Sequence, residues 1–382
     1  MNKVYVSHNN IVSALGFDSA SVVEKIKSEV TGLGLVVNKT LHAEPFFSSL
    51  VNAEQLQSAF QELKPKEKYT RLEQMMIVSL DKIIKSSKIA LGERVGLIIS
   101  TTKGNIDVLD DNSPFPKERA YLSELGRNVK EFFGFKNDVI VVSNACVSGI
   151  LSVALAKRYI EQNVYDHVFV VSGDVVSEFI LSGFNSFQAM SHELCKPYDK
   201  HRKGINIGEV AASILVTKDD AGLPDEAMVI LGEGSCNDAN HISGPSRTGE
   251  GLYRSMQTAF REAKIQPEEI DYISAHGTAT LFNDEMEAIA FNRMGLQEAP
   301  LNSLKGYFGH TLGASGLLET IIGMHSAHNN TLYKSLGFET MGVTQPINVI
   351  NYTRQHNIQT FLKTASGFGG CNTAVIFQKL AQ

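Results

Sequence analysis

The stretch VVSNACVSGI, residues 141–150, decides how the rest of the chain is read. β-Branched residues lead into Ser-Asn-Ala, a cysteine follows, and a run of small residues then opens a helical pattern. A strand ending near Asn144 and a helix starting near Ser148 would leave Cys146 at the helix mouth. Unpaired backbone N–H groups and the dipole at a helix start favour an anion, so a thiolate is favoured there. The small neighbours Ala145, Ser148 and Gly149 would let a substrate come close. A buried structural thiol fits the same ten residues, so the surrounding sequence has to choose.

Similar apolar runs recur on both sides. KVYVS (3–7), VGLIIST (95–101), VIVVSNA (139–145) and HVFVVSGD (167–174) precede AASILVTK (211–218), MVILGEG (228–234), DYISAHG (271–277) and AVIFQK (374–379). Continuous apolar runs without clean alternation predict strands covered on both faces. Between them lie stretches of helical length and spacing, among them YTRLEQMMIVSLDKIIKSS (69–87), SGILSVALAKRYIEQN (148–163) and GEGLYRSMQTAFREAKI (249–265). Strands alternating with helices predict an α/β protein. Residues 102–120 and KERAYLSELGRN (117–128) read as surface connection. VVSNACVSG and YISAHGTAT echo each other as strand, reactive or polar residue, then small residues, which is compatible with two similar halves meeting at one site.

Composition narrows the function. With 382 residues, 43% hydrophobic and 20% charged, the chain can bury a large core as one two-part domain or two fused halves. A net charge of −6 argues against general nucleic-acid binding, which needs a basic face. Cysteines at 146, 195, 236 and 371 form no CxxC pair and no zinc spacing, which predicts reduced thiols, no metal and a cytoplasmic setting. No signal core opens the chain and no apolar stretch reaches spanning length, so no membrane partner is expected.

Three further segments carry reactive side chains. In SAHGTATLFNDEMEA (274–288), His276 would emerge at a strand end beside Gly277. In NSLKGYFGHTLGASGLLE (302–319), Lys305 precedes His310 by five residues and Glu319 follows it by nine. TASGFGGCN (364–372) is a glycine-rich loop around Phe368 whose N–H groups could face an anion, but it has no dinucleotide fingerprint. Taken singly, each also reads as an ordinary turn or packing element.

Taken together, these motifs resemble the β-ketoacyl-ACP synthases, the elongating condensing enzymes of the thiolase superfamily. NACVSG is similar to the nucleophile motif, and AHGTATLFNDEME to the HGT-x-T motif with its downstream acids at Asp284 and Glu287. KGYFGHTLGASGLLE is similar to the lysine, GH-x-x-GA-x-G and glutamate pattern, GFGGCN to the GFGG-x-N loop, and KPYDKHRKG to the P-[WFY]-D-x-x-R-x-G segment. The resemblance covers nearly the whole chain and implies a thiolase-like α/β/α/β/α architecture. The two halves are expected at 1–220, with the cysteine, and 221–382, with both histidines and the glycine loop. It implies Cys146 as nucleophile, His276 and His310 as donors to a thioester oxygen, and Lys305 and Glu319 as their support. Phe368, with Gly367 and Gly369, would form the gate and, with Cys146 N–H, the oxyanion hole. It implies no cofactor and no metal, because the substrates carry phosphopantetheine on an acyl carrier protein. A dimer is expected, either with a second copy or with a paralogous subunit. KPKEKYTR offers Lys64, Lys66, Lys68 and Arg71 as a docking patch for an acidic carrier, because a local positive field speeds encounter. The departures are the SHNNIVSALG opening in place of TG-x-G, Leu281 where a proline is common, and Ser366 where an aromatic is frequent. Two other readings stay open: a non-condensing or chain-length-setting subunit, and a thiolase-like enzyme using Cys371 as a second active cysteine.

Overall fold

Among the described residues, eleven strands form one mixed sheet whose two sides repeat each other. The computed structural model describes residues 3–238 and 244–380. At the centre, Tyr5–Ser13 and Met228–Asn237 pair antiparallel through Tyr5 with Val229 and Val6 with Met228. Outward on one side lie Val210–Thr217, His167–Asp174, Val95–Ser100 and Ile140–Val142. Outward on the other lie Cys371–Lys379, Thr360–Gly367, Tyr272–Ser274 and Pro300–Asn302, with Asn348–Val349 beyond. Each side runs antiparallel, antiparallel, parallel, parallel from the seam. The chain also visits the first five strands of each side, counted outward from and including the seam, in the same order.

This duplication corrects the register of the sequence echo. By strand order, the counterpart of Ile140–Val142, which precedes Cys146, is Pro300–Asn302. The strand Tyr272–Ser274, which precedes His276, corresponds instead to Val95–Ser100. Three-residue strands carry too little pattern to fix such a match; pairing partners do.

Side-chain alternation explains the unbroken apolar runs. Along His167–Asp174, Val168 and Val170 face one core while Phe169 and Val171 face another. Along Cys371–Lys379, Val375 and Phe377 join the first core while Ala374 and Ile376 join a third. The shared core encloses two helices, Ser148–Glu161 and Ser315–His328. Arg71–Ser87 covers the outside of one sheet half, and Glu250–Ala263 with Leu281–Arg293 covers the other. The result is α/β/α/β/α layering, as the sequence resemblance implied.

The two central helices cross at glycines. A Cβ on Gly149 would lie 2.8 Å from Gly313 O and Leu317 N, and one on Gly316 would lie 2.7 Å from Ile150 N. Gly149 therefore admits the opposing backbone, not a substrate as the sequence suggested. The close crossing places the two helix starts, and the loops before them, together.

Residues 102–133 are not a plain surface connection. They form short 3₁₀ turns at Ile106–Leu109 and Lys117–Ala120, then a helix, Leu122–Phe133. Glu73, fully buried, holds the segment by accepting from Arg119 at 2.8 Å and Asn105 at 3.0 Å. Its Oε2 also caps Thr70 N at 2.9 Å, which fixes the start of Arg71–Ser87. Of the charged residues that suggested exposure, Arg119 folds inward onto this carboxylate, while Asp110, Asp111, Lys117 and Glu118 stay exposed as the sequence implied.

Candidate active site

Cys146 lies two residues ahead of Ser148–Glu161 and is 7% exposed. Ser148 Oγ accepts from Asn144 N at 2.8 Å and donates to Ala145 O at 2.6 Å, which closes the turn around the thiol. Ala145 has φ +44°, a left-handed conformation that costs an L-residue about 1–2 kcal/mol. The turn thus stores strain directly before the nucleophile. Burial pushes the Cys146 thiol up to about 12, and Lys305 and Lys103 offset this only in part. Desolvation thus opposes the thiolate that the helix start favours.

His310 stands before the second central helix. Gly309 turns the chain at φ +68°, and His310 N donates to Asn206 O at 2.6 Å while His310 O accepts from Gly208 N at 3.1 Å. The ring's Nδ1 accepts from Leu312 N at 3.1 Å. A backbone N–H can only donate, so the ring proton resides on Nε2. Ser315 Oγ lies 3.1 Å from the same Nδ1.

His276 is set by two buried acids that the sequence marked beside it. Glu287 accepts from His276 N at 2.9 Å and Gly277 N at 2.7 Å, and Asp284 accepts from Thr278 N at 2.8 Å. The Pro-Tyr-Asp segment docks on the same acids: Tyr198 N donates to Asp284 at 2.7 Å and Tyr198 Oη to Glu287 at 3.0 Å. Burial, then the Asp284 charge, raises Glu287 to about 7. Lys305 Nζ bonds His276 O and lies 3.4 Å from Nδ1. An ammonium only donates, so Nδ1 accepts and Nε2 keeps its proton here too. Burial first and Lys305 second hold both imidazoles well below their usual range. Two neutral rings therefore carry Nε2–H donors, with ring centroids 5.2 Å apart. One ligand atom from each of Cys146, His276 and His310 lies within 4.8 Å of the others, and among the described residues no further His, Cys or carboxylate joins them.

These three residues line one cavity of about 740 Å³ together with Gly367 and Phe368. A Cβ on Gly367 would meet Cys146 N at 3.0 Å, so the glycine loop lies against the nucleophile's backbone. Gly369 closes that loop at φ +81°. Phe368 packs on Phe184 at 5.6 Å and Phe187 at 5.3 Å between ring centroids, and Phe184 reaches His310 at 6.5 Å. Cys371 does not line the cavity; its Sγ lies 3.4 Å from Phe368 O and 3.7 Å from Asn144 O. The arrangement expected of a thiolase, with a second thiol facing the first across the substrate, is not what this cavity presents.

Lys305 and Glu319 are joined at 2.9 Å, and both are buried. Sequence reading missed Lys363, whose Nζ lies 2.6 Å from the other Glu319 oxygen. It also missed Phe187, which caps the end of the helix Glu178–Ser186 and belongs to no motif. A lysine inside the apolar run FLKTASG was the available signal for the first. Of the docking candidates, Lys64, Lys66 and Lys68 are exposed, whereas Arg71 is tied to buried Glu209 at 2.6 Å and to Val51 O.

Residues 36–221 match the N-terminal domain of β-ketoacyl synthases and residues 227–339 the C-terminal domain. The chain belongs to the β-ketoacyl synthase family. It is 28% identical to 3-oxoacyl-[acyl-carrier-protein] synthase 2 of Coxiella burnetii over 75% of this chain and 76% of that protein. It is 24% identical to the Staphylococcus aureus enzyme of the same name over 99% and 98%. Its fold matches a ketosynthase solved in complex with its chain length factor from Xenorhabdus doucetiae, with a TM-score of 0.89, 24% identity and 99% and 98% coverage. It also matches a β-ketoacyl synthase from Burkholderia phymatum, with a TM-score of 0.87, 22% identity and full coverage of both chains. The protein is therefore a condensing enzyme of the acyltransferase class, with its Cys-His-His triad assembled. Among the described residues no helix is long and apolar enough to cross a membrane.

The lowered imidazoles set a pH expectation for this family's chemistry. A group depressed below its usual range is neutral above that depressed value and charges only as pH falls through it. Malonyl-carrier decarboxylation, followed by CO₂ release between pH 5 and 8, is expected to stay level down to pH 6.5 and fall only below it. A loss centred at or above 6.5 would contradict neutral His276 and His310.

Proposed function

We propose that the protein extends an acyl chain by two carbons on acyl carrier protein, in fatty-acid or specialised polyene or polyketide synthesis in the cytoplasm. The observation that carries this reading is the convergence of one thiol and two imidazoles on a single cavity. Cys146 sulfur attacks the carrier-bound acyl thioester, the carrier thiol leaves, and the acyl group stays on Cys146. Malonyl carrier then loses CO₂. The C–C bond pair becomes an enolate whose oxygen accepts from the Nε2–H groups of His276 and His310. The enolate carbon attacks the Cys146 thioester, the C–S bond breaks, and the thiolate takes up a proton from solvent, the one proton the overall condensation consumes. The N–H groups of Cys146 and Phe368 hold the oxyanion of the acyl-transfer steps. Lys305 and Glu319 fix His276, and Phe368, flanked by Gly367 and Gly369, gates the thiol. The chain divides at 220/221 into its two halves, and no cofactor takes part. Lys64, Lys66 and Lys68 meet the acidic carrier, with Arg71 stiffening the patch from behind.

The partner subunit is either a second copy or a paralogue. Similarity to a ketosynthase that pairs with a chain length factor favours the paralogue. An intact triad makes this chain the condensing member of such a pair, not the chain-length-setting one. The deciding experiment incubates purified protein with acyl carriers of graded length, follows Cys146 by intact mass, and then adds malonyl carrier. Loading followed by discharge as β-ketoacyl carrier is expected. No adduct from any carrier, with or without a co-expressed paralogue, would overturn the reading.

Phe187 gives a specificity prediction. It is 48% exposed at the cavity and packs edge-on against Phe368. Phe187→Ala is expected to raise loading of bulky aryl or branched acyl groups relative to straight chains roughly tenfold, the scale of one apolar contact in a pocket. Competition between paired acyl carriers measures it, and an unchanged ratio would remove Phe187 from selection.

A further inference from the structure

Glu319 has two ammonium partners. Lys305 Nζ lies 2.9 Å from Oε1 and Lys363 Nζ 2.6 Å from Oε2. Lys363 has no exposed surface, and its remaining donors reach Thr364 O at 2.7 Å and Ser274 O at 3.1 Å. Its three N–H groups are thus all used. Ser274 is two residues before His276, and Lys363 lies on the strand Thr360–Gly367 that leads into Phe368. A buried lysine is costly, and an apolar residue of similar volume often packs as well or better. Packing alone therefore does not account for a lysine here.

We propose that Lys363 is a positioning residue for His276. By occupying Oε2 of Glu319, it leaves Lys305 shared between Oε1 and the His276 ring, with Nδ1 as acceptor and Nε2–H free for the cavity. Without it, the bare Oε2 draws Lys305 fully onto Glu319 and away from His276. Two ammoniums against one carboxylate also leave an excess positive charge behind the ring, which keeps a proton off Nδ1. The charged or titratable groups around His276 are Lys305, Lys363, Glu319, Glu287, His310 and Cys146, with Asp284 under the adjoining turn. Burial lowers Lys363 and Glu319 opposes that shift, as a shared carboxylate requires.

This rests on the proposed role of His276 as a donor to the enolate oxygen. The test compares wild type, Lys363→Met, Glu319→Gln and the double variant in two separate assays: Cys146 loading by intact mass and malonyl-carrier decarboxylation across pH 5–8. In Lys363→Met, decarboxylation is expected to fall about tenfold further than loading. Its acid limb is expected to move up by about one pH unit as a buried like charge is lost. In the double variant, losing Lys363 is expected to cost little beyond Glu319→Gln, because the lysine acts through that carboxylate. Equal losses in both assays, or an unmoved acid limb, would overturn the proposal. Histidine-labelled wild type supplies a readout that needs neither folding of a variant nor activity. Its ¹⁵N spectrum should show His276 with the proton on Nε2, and a proton on Nδ1 would overturn the inference. Failure of the functional reading would instead appear as a wild type that neither loads nor decarboxylates.

Discussion

Cys146→Ala is expected to carry no acyl group from any carrier and to make no β-ketoacyl product, yet to go on releasing CO₂ from malonyl carrier. The cavity holds one thiol, since Cys371 is turned beneath the glycine loop. Removing Cys146 therefore removes the covalent half of the reaction outright. In the proposed mechanism the enolate half depends on His276 and His310, whose tautomers are set by Lys305 and by Leu312 N, neither of which involves the sulfur. His276→Ala should show the opposite split: an acyl adduct still forms, while decarboxylation falls on the order of 10²–10³ as one oxyanion donor is lost. Intact mass and CO₂ release, measured on the same samples, separate the two. A Cys146→Ala protein that still acquires an acyl group would move the nucleophile elsewhere. One that no longer decarboxylates would mean the sulfur itself supports the enolate.

The strands were readable because most run through two cores at once. His167–Asp174 and Val210–Thr217 are buried at nearly every position, and only a strand covered on both faces yields such runs at that length. The triad was readable because each member stands at a turn whose glycine or small residue is visible in sequence. What stayed hidden depends on contacts distant along the chain. Lys363 looks like a stray charge in a strand until Glu319, 44 residues away, comes within 2.6 Å. Arg119 looks exposed until Glu73 appears beneath it. The Cys146 thiol looked activated because a helix start is legible in sequence while the depth of burial is not. Gly149 was read as room for substrate because sequence shows a missing side chain without showing what fills the space.

The same reasoning singles out Gly208 as a demanding glycine beside the site. A Cβ there would lie 1.9 Å from Phe308 O, a backbone atom, with Ser49 Cβ at 3.3 Å on the other side. Phe308 closes the short buried helix Lys305–Phe308, and Gly208 N itself donates to His310 O at 3.1 Å. No rotamer can relieve such a contact, so either the strand Ile207–Gly208 or the helix between Lys305 and His310 must move. Gly208→Ala is expected to cost at least about 3 kcal/mol, the upper end for overpacking, and to lower Tm by roughly 4 °C or more in a chain of this length. The displaced segment carries Lys305 at one end and His310 at the other, so decarboxylation should fall well before the protein unfolds. Gly183→Ala is the matched control: its Cβ meets nothing within 4 Å inside the helix Glu178–Ser186, and it should gain about 0.5–1 kcal/mol from helix propensity. Thermal melts and decarboxylation rates on the two variants decide the matter. If both behave alike, the strand and the helix are not in the contact drawn here, and the link from the Gly208 backbone to the His310 ring fails with it.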